Sequence, residues 1–397
     1  MKRNEFATFL VYVVMIIVAV LFGIFWIRPT ITEVSSALPI PGIVLVIISL
    51  VVGVIFNSAL LEIGHYLGAK VGHYEIKSFV ILGLGKKAKE GTDKAKFGFH
   101  KFSGLTGETK VVPTDVEKSR LGGYITLPIL FFLIEAVGCA VMIAIGNANK
   151  ATGLGALSII GITLLGVAAM IVIYDYAPTR LDEVTDGYLM MVTSKNINKI
   201  AYNHILVCEE AVREGKPVPK TPIYEEITDF TFHLNLSIYY EAIKNKDYKT
   251  AVRILDLALD TDKGFSKSNF YKAKAMKLAL ILEDPRNPQG TKMYEELDDG
   301  TKSFISALEV PAAVKCYILI SSFIEQSEGE CNYAIEKAEK ALKNEDPQFA
   351  PYEKEALERI GNFVRANHPG WTVEDLPWIA KEKMAKEAEK EDEEEEE

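Results

Sequence analysis

The chain has 397 residues, which is long enough for two or three domains. Hydrophobic residues make up 49% of it and charged residues 25%, so apolar and charged residues are expected to lie in different parts of the chain. The net charge of -10 argues against a nucleic-acid-binding protein, which would carry a basic face. Four cysteines without CxxC spacing indicate buried thiols: Cys139, Cys208, Cys316 and Cys331.

The first predicted element is a membrane-spanning helix. The chain from Phe6 to Ile27 contains no charged residue and is long enough to cross a bilayer. Lys2 and Arg3 precede it, but the apolar stretch is too long for a signal peptide and no small-x-small cleavage pattern follows it. We therefore predict that residues 1–36 form an N-terminal anchor that is retained.

Three further apolar runs predict spanning helices at about residues 37–61, 121–146 and 151–174. Between the first two of these runs, residues 70–120 show strand-like alternation with glycine turns, which predicts a β-rich insertion. The Lys and Arg residues concentrate in this insertion, whereas the opposite loops offer only Arg28 and Lys150. The positive-inside rule then predicts a multi-pass cell-membrane protein with both termini and the insertion in the cytoplasm.

A motif related to metal binding stands at the end of the second run. Leu61-Glu62-Ile63-Gly64-His65 matches the zinc motif H-E-x-x-H except at its first position. In the complete motif the two His residues bind zinc from one helical face, and the Glu polarises the attacking water. Here Leu61 replaces the first ligand. An alternative interpretation is that Glu62 and His65, three residues apart, form a hydrogen-bonded pair on one helix face.

A membrane helix with this motif resembles the site-2 protease family of intramembrane zinc metalloproteases. In that family a β-rich region follows the motif, then a helix that opens with a Gly-Pro-x-x-Asn-like turn, and then Asn-x-x-Pro and Asp-Gly. The matching segments of this chain are Phe79–Gly85, Gly122–Thr126, Asp175–Pro178 and Asp186-Gly187. The resemblance covers roughly residues 38–200.

The resemblance implies that His65 and Asp186 are zinc ligands and that, in an active enzyme, Glu62 activates water. Asp182 is a second candidate for the later ligand, but it is followed by Glu rather than Gly, so Asp186 is preferred. Asp186 can also be an ordinary helix start, since Asp is a good cap. The chain departs from the family pattern at three further positions: Gly123 stands for Pro, Thr126 for Asn and Asp175 for Asn.

The third protein ligand that a catalytic zinc normally has is not apparent in the sequence. His73 follows His65 by more than two helical turns, which is too far to share an ion on an uninterrupted helix. Asn57 is a poor zinc ligand. Glu135 lies roughly 20 Å into its span and is predicted to be out of reach, and as an intramembrane acid it is the sole support for a transporter-like alternative.

From about residue 200 the apolar runs give way to amphipathic helices, which predicts a cytoplasmic α-helical domain over residues 201–380. The stretch 235–258 resembles a helical hairpin of the tetratricopeptide type, and a second copy starts near Cys331. Neither copy carries the full repeat signature, and a simple helical bundle is an equal alternative. Residues 381–397 are predicted to be the end of a charged helix and a disordered acidic tail.

The predicted fold is therefore mainly α: a multi-pass helical membrane core with a small β-rich insertion, within residues 37–200, and then a tetratricopeptide-like domain. The predicted function is non-catalytic. The core and the helical domain would bind or present a membrane-protein or peptide client, with the lipid bilayer and a protein partner as contacts and no nucleic acid. The alternative is an active protease that cleaves a transmembrane substrate with zinc. In the non-catalytic case no cofactor is predicted.

Overall fold

The computed structural model divides the chain into two compact units, Met1–Pro219 and Lys220–Glu397. We call them the membrane unit and the helical unit. The four cysteines are buried and free, as predicted. The structure describes residues 5–34, 37–38, 40–88, 91, 95–102, 104–179, 181, 184–261, 265–284 and 287–395.

Within these ranges, four helical segments are long and apolar enough to cross a membrane. The first combines α1 (Glu5–Phe22), a π-helical turn (Gly23–Ile27) and α2 (Arg28–Val34). The others are α3 (Gly42–Val71), α4 (Leu121–Ala148), and α5 (Ala156–Asp175) with the short 3-10 turn before it.

The second span differs from the predicted 37–61 because α3 begins at Gly42 and continues to Val71. Leu61 therefore lies inside a continuous helix and not at its end. The sequence after Leu61 is less apolar, but its small and polar side chains are buried by the protein itself, including Gly64, His65 and Gly68. The hydropathy pattern identifies side chains that face lipid. This part of α3 is instead buried against other parts of the protein, so its less apolar sequence does not mark the end of the helix.

Glycines on α3 allow the spans to approach closely, as small residues do between membrane helices. A Cβ atom at Gly68 would lie 2.2 Å from the carbonyl oxygen of Gly123 on α4. One at Gly64 would lie 2.7 Å from the Cα atom of Pro128, also on α4. Helix α3 also contacts α5, so it holds its motif against two neighbouring helices.

The insertion is a four-stranded antiparallel sheet in the described residues, which agrees with the predicted β-rich region. Its strands are β1 (Tyr74–Ile81), β2 (Leu84–Ala88), β3 (Ala95–Phe99) and β4 (Gly107–Pro113), in the order β3-β2-β1-β4. Strand β4 pairs with β1 and contacts α3, so its side chains reach the motif helix.

Two short elements complete the membrane unit, α6 (Asp186–Val192) and α7 (Asn196–Arg213). Helix α7 contacts β4, so it belongs to this unit. The domain boundary therefore lies between Pro219 and Lys220 and not at the predicted 200/201. The amphipathic pattern of α7 marks a helix correctly, but its apolar face packs on the sheet of the membrane unit.

The helical unit is built from successive helices with apolar contacts between neighbours. Alanines that are fully buried mark the contacts at the predicted hairpin positions, among them Ala251, Ala258, Ala334 and Ala341. The helices are α8 (Asp229–Lys244), α9 (Tyr248–Leu259), α10 (Lys267–Leu282), α11 (Pro288–Glu295), α12 (Asp299–Ser306), α13 (Pro311–Phe323), α14 (Glu328–Lys343), α15 (Ala350–Asn367) and α16 (Pro377–Glu395).

One buried ion pair crosses the core of the helical unit. Lys315 of α13 lies 2.5 Å from Glu353 of α15, and Tyr240 of α8 donates a hydrogen bond to the same carboxylate. All three side chains are buried, so the pair is removed from water.

The last helix differs from the predicted disordered tail. Helix α16 continues to Glu395, through most of the terminal acidic run. Glutamate has a high helix propensity, and Lys386 pairs with Glu382 one turn earlier, so local preference favours the helix at this end.

Candidate functional site

The structure brings His65 and Asp186 together although they are far apart in sequence. The Nε2 atom of His65 lies 2.8 Å from Oδ2 of Asp186, and both residues are buried. Asp186 opens α6, where Thr185 caps the helix and donates a hydrogen bond to the carbonyl of Ala177. A Cβ atom at Gly187 would lie 2.1 Å from the carbonyl oxygen of Tyr176, so the Asp-Gly sequence suits this tight junction between α5 and α6. Asp182 lies outside the described residues.

Glu62 is held by two threonines. Its Oε1 accepts a hydrogen bond of 2.9 Å from the hydroxyl of Thr106, and its Oε2 accepts one of 2.6 Å from the hydroxyl of Thr109. The carboxylate is buried, and its Oε2 lies 3.9 Å from Nδ1 of His65. Glu62 therefore faces the Nδ1 atom of the imidazole, whereas Asp186 contacts Nε2.

Tyr124 fixes the imidazole from a third side. Its ring stacks on His65 with centroids 4.5 Å apart and planes inclined by 11°. Its hydroxyl donates a hydrogen bond of 3.0 Å to the carbonyl of Thr109, which ties α4 to β4. Stacking and the two carboxylates leave His65 little freedom to rotate.

Tyr176 follows the last residue of α5 and joins the α5–α6 junction to α4. Its hydroxyl donates a hydrogen bond of 2.8 Å to the carbonyl of Ile125. Burial raises the pKa of Tyr176 far above its usual range, and the charges of Asp186 and Asp175 raise it further. Tyr176 therefore stays a neutral donor beside these acids.

Asp175 completes the cluster. It is the last residue of α5, and its Oδ2 atom is buried. One ligand atom each from His65, Asp175 and Asp186 lies within 4.8 Å of the other two. The sequence marked Asp175 as a departure from the family pattern and left the third ligand unassigned. The structure places Asp175 beside His65 and Asp186.

The other candidates stay outside this group. Leu61 is buried in an apolar cluster with Phe132, Val167, Ala168 and Ile171. His73 lies two residues after the end of α3 with a positive φ of 61°, and its carbonyl accepts hydrogen bonds from Thr114 and Ser119.

Glu135 lies elsewhere on α4, where it is buried beside Asn57. Among the described residues, neither of its carboxyl oxygens has a partner with hydrogen-bond geometry. It is not a member of the group of possible ligands around His65.

The site lies in a cleft of about 500 Å³. The motif residues of α3, the loop before β4, strand β4 itself and α7 contribute to its lining. Polar residues that sequence reasoning missed are Thr106, Thr109 and Tyr124. No motif signalled the threonines, because their contact with Glu62 depends on where the sheet meets α3.

The zinc ion implied by the family resemblance can be tested against these donors. There are three donors: an imidazole nitrogen from His65 and one carboxylate oxygen each from Asp175 and Asp186. A catalytic zinc also takes three protein ligands. The donors therefore fit a divalent ion, although not with the two histidines of the full motif. Such an ion, when bound, lowers the pKa of a bound water or polarises a carbonyl group. No family model, curated protein or solved structure matches the chain.

Proposed function

We propose that this is a membrane protein with a site-2-protease-like core that binds or presents membrane-bound clients without cutting them. The observation that carries the proposal is the hydrogen bonding of the Glu62 carboxylate. Both of its oxygens accept hydrogen bonds from threonine hydroxyls, so the carboxylate is held in place by β4 and by the loop before it.

A general base must bring its acceptor atom within about 2.6–3.2 Å of the oxygen of the water whose proton it removes. Glu62 lies at the Nδ1 edge of His65, away from the Nε2 atom that contacts Asp186. To reach a water on the Nε2 side, Glu62 would have to break two hydrogen bonds to a charged group, each worth about 1.5–3 kcal/mol. Leu61 adds to this argument, because it contributes only apolar packing where the family has a ligand.

The client would enter the cleft beside the sheet. Four long apolar helices support membrane insertion, and the excess of Lys and Arg in the insertion supports a cytoplasmic location for the sheet and both termini. The helical unit would bind a peptide or protein partner if its hairpins stack as in tetratricopeptide proteins. The buried alanines of α9 and α14 support that arrangement.

The test compares clients captured by the full-length protein and by a Glu62→Gln variant in native membranes. A protein that only holds its clients gives the same clients and the same fragment patterns with both forms, measured by mass spectrometry of the captured chains. Glu135→Gln is the matched control, since it removes a buried acid outside the site. Intact clients that accumulate only with Glu62→Gln, and fragments only with the wild type, would refute the proposal.

A second candidate function is metal-dependent proteolysis within the membrane. The observation that favours it is Asp175, which supplies the donor that the motif lacks. In that case His65, Asp175 and Asp186 would hold zinc, and Glu62 would leave its threonines to activate water when a substrate binds. The fragment patterns of the same experiment separate this function from the first.

A further inference from the structure

We propose that His65, Asp175 and Asp186 bind one divalent transition-metal ion, and that Asp175 takes the role of the histidine ligand missing at position 61. This inference does not depend on whether a client is cut. It concerns a ligand set that the H-E-x-x-H pattern does not contain, with one donor from the body of α3, one from the end of α5 and one from the start of α6.

Contacts between protein groups hold the backbone around the donors in place. The close approach of Gly187 to Tyr176 and the hydrogen bond from Thr185 to Ala177 join the end of α5 to the start of α6. This junction sets the positions of Asp175 and Asp186 relative to each other. Stacking on Tyr124 sets the plane of His65. A preformed set of donors needs little reorganisation to accept an ion.

The distances suit coordination. Tetrahedral zinc–ligand bonds of about 2.0–2.2 Å place ligand atoms roughly 3.3–3.6 Å apart around one ion. The three donor atoms lie within 4.8 Å of one another, so side-chain shifts of up to about 1 Å bring them to a common centre. The His65–Asp186 distance of 2.8 Å would lengthen slightly as the ion replaces their hydrogen bond.

The charges around the site also favour a bound cation. The buried Asp186 and the partly buried Asp175 meet in this cluster, and Glu62 lies next to His65. The lysines and the arginine that line the cleft already have acidic partners within 4 Å. Lys77 pairs with Glu75 and Glu210, Lys110 with Glu108, and Arg213 with Glu210. A bound cation would offset the mutual repulsion of the buried carboxylates.

The donor types predict which ions fit. One imidazole and two carboxylates suit first-row divalent ions such as Mn²⁺, Fe²⁺ and Zn²⁺. Replacing a histidine by an aspartate makes the set harder, so the preference for Zn²⁺ over Mn²⁺ should be smaller than in a site with two histidines. Both ions can therefore serve as probes.

The experiment titrates full-length, chelator-treated protein in detergent with Mn²⁺ and follows free Mn²⁺ by electron paramagnetic resonance. We expect one bound Mn²⁺ per chain, displaced by Zn²⁺. Asp175→Asn should weaken binding at least tenfold, as should His65→Ala and Asp186→Asn. The control is Glu209→Gln, since Glu209 is an exposed acid that lines the same cleft and should leave binding unchanged.

A second variant guards against a folding defect in Asp175→Asn. Adding Leu61→His to it restores three donors, so binding should return and the ratio of Zn²⁺ to Mn²⁺ affinity should rise at least tenfold over the wild type. The absence of Mn²⁺ and Zn²⁺ binding by the wild type would overturn the proposal. So would wild-type affinity in Asp175→Asn. The client-capture test uses Glu62 and Glu135, so either proposal can fail without the other.

Discussion

The substitution Leu61→His tests how the apolar cluster and the ligand group share one helix face. Leu61 is 2% exposed and packs against Phe132, Val167, Ala168 and Ile171. Without metal, the variant loses a buried leucine side chain, worth about 1.5–3 kcal/mol. It also buries an imidazole without a certain partner, which costs about 1–3 kcal/mol. We expect a total loss of roughly 2.5–6 kcal/mol, or about 5–24 °C in melting temperature for a unit of this size.

Metal should reverse part of this loss. The new imidazole stands one helical turn before His65 and lines the same cleft, so it can join the ligand group. At a metal concentration 100 times the dissociation constant, binding contributes about 2.7 kcal/mol to the folded state. The assay is thermal unfolding in detergent, in excess chelator and then in excess Zn²⁺, with the wild type measured in parallel.

The matched control is Leu61→Gln, a polar side chain of similar length that is a poor zinc ligand. It should show the same loss in chelator and no additional gain from Zn²⁺ over the wild type. Two results would refute the reasoning. If Leu61→His melts like the wild type in chelator, the apolar packing around Leu61 contributes little. If Zn²⁺ stabilises the His and Gln variants equally, position 61 does not reach the ligand group.

Three further predictions concern the supports of the two units. Gly68→Ala places a Cβ atom 2.2 Å from a backbone oxygen of α4, so it should destabilise the membrane unit by about 1–3 kcal/mol or more, whereas Gly122→Ala meets no atom within 4 Å and should melt like the wild type. In the helical unit, Lys315→Met leaves a buried carboxylate without its cation and should cost about 3–5 kcal/mol in chemical unfolding, and adding Glu353→Gln should recover part of that loss. Burial alone would raise the pKa of Glu108, but hydrogen bonds from a lysine and a serine and a second lysine charge lower it. Its contribution is then complete above the unfolded pKa of about 4.3 and is lost as the pH falls through the lower folded pKa, so Glu108→Gln should flatten the fall in melting temperature between about pH 5 and pH 3.

The elements that the sequence predicts well are those set by local pattern. Apolar runs locate the four helices that are long and apolar enough to cross a membrane, because their composition alone meets the length and hydropathy that a bilayer requires. Alternation and glycine turns locate the sheet. The end of α3 is predicted ten residues too early, because hydropathy cannot distinguish lipid contact from burial by other helices at Gly64 and Gly68.

The site is predicted only in part for a related reason. His65 is predicted from the spacing of the H-E-x-x-H motif, and Asp186 is predicted from the Asp-Gly element that the family resemblance implies. Thr106 and Thr109 contact Glu62 because the loop before β4 and the first residues of that strand lie against α3. No local spacing in the sequence predicts that contact. Asp175 stands in the sequence as a mismatch, and its place beside His65 depends on how α5 ends against α6.

The two departures at positions 61 and 175 have complementary physical effects. Leu61 removes a donor from α3, and Asp175 adds one at the end of α5, so the number of protein donors stays at three. A chain with His at position 61 and Asp at position 175 would have four. Four protein ligands close a zinc site in the manner of structural centres, whereas catalytic centres keep a position open for water. Completing the H-E-x-x-H motif in this chain should therefore give a tighter metal site and no gain of proteolysis. Only the double change that also removes the Asp175 donor returns the ligand count of an open site.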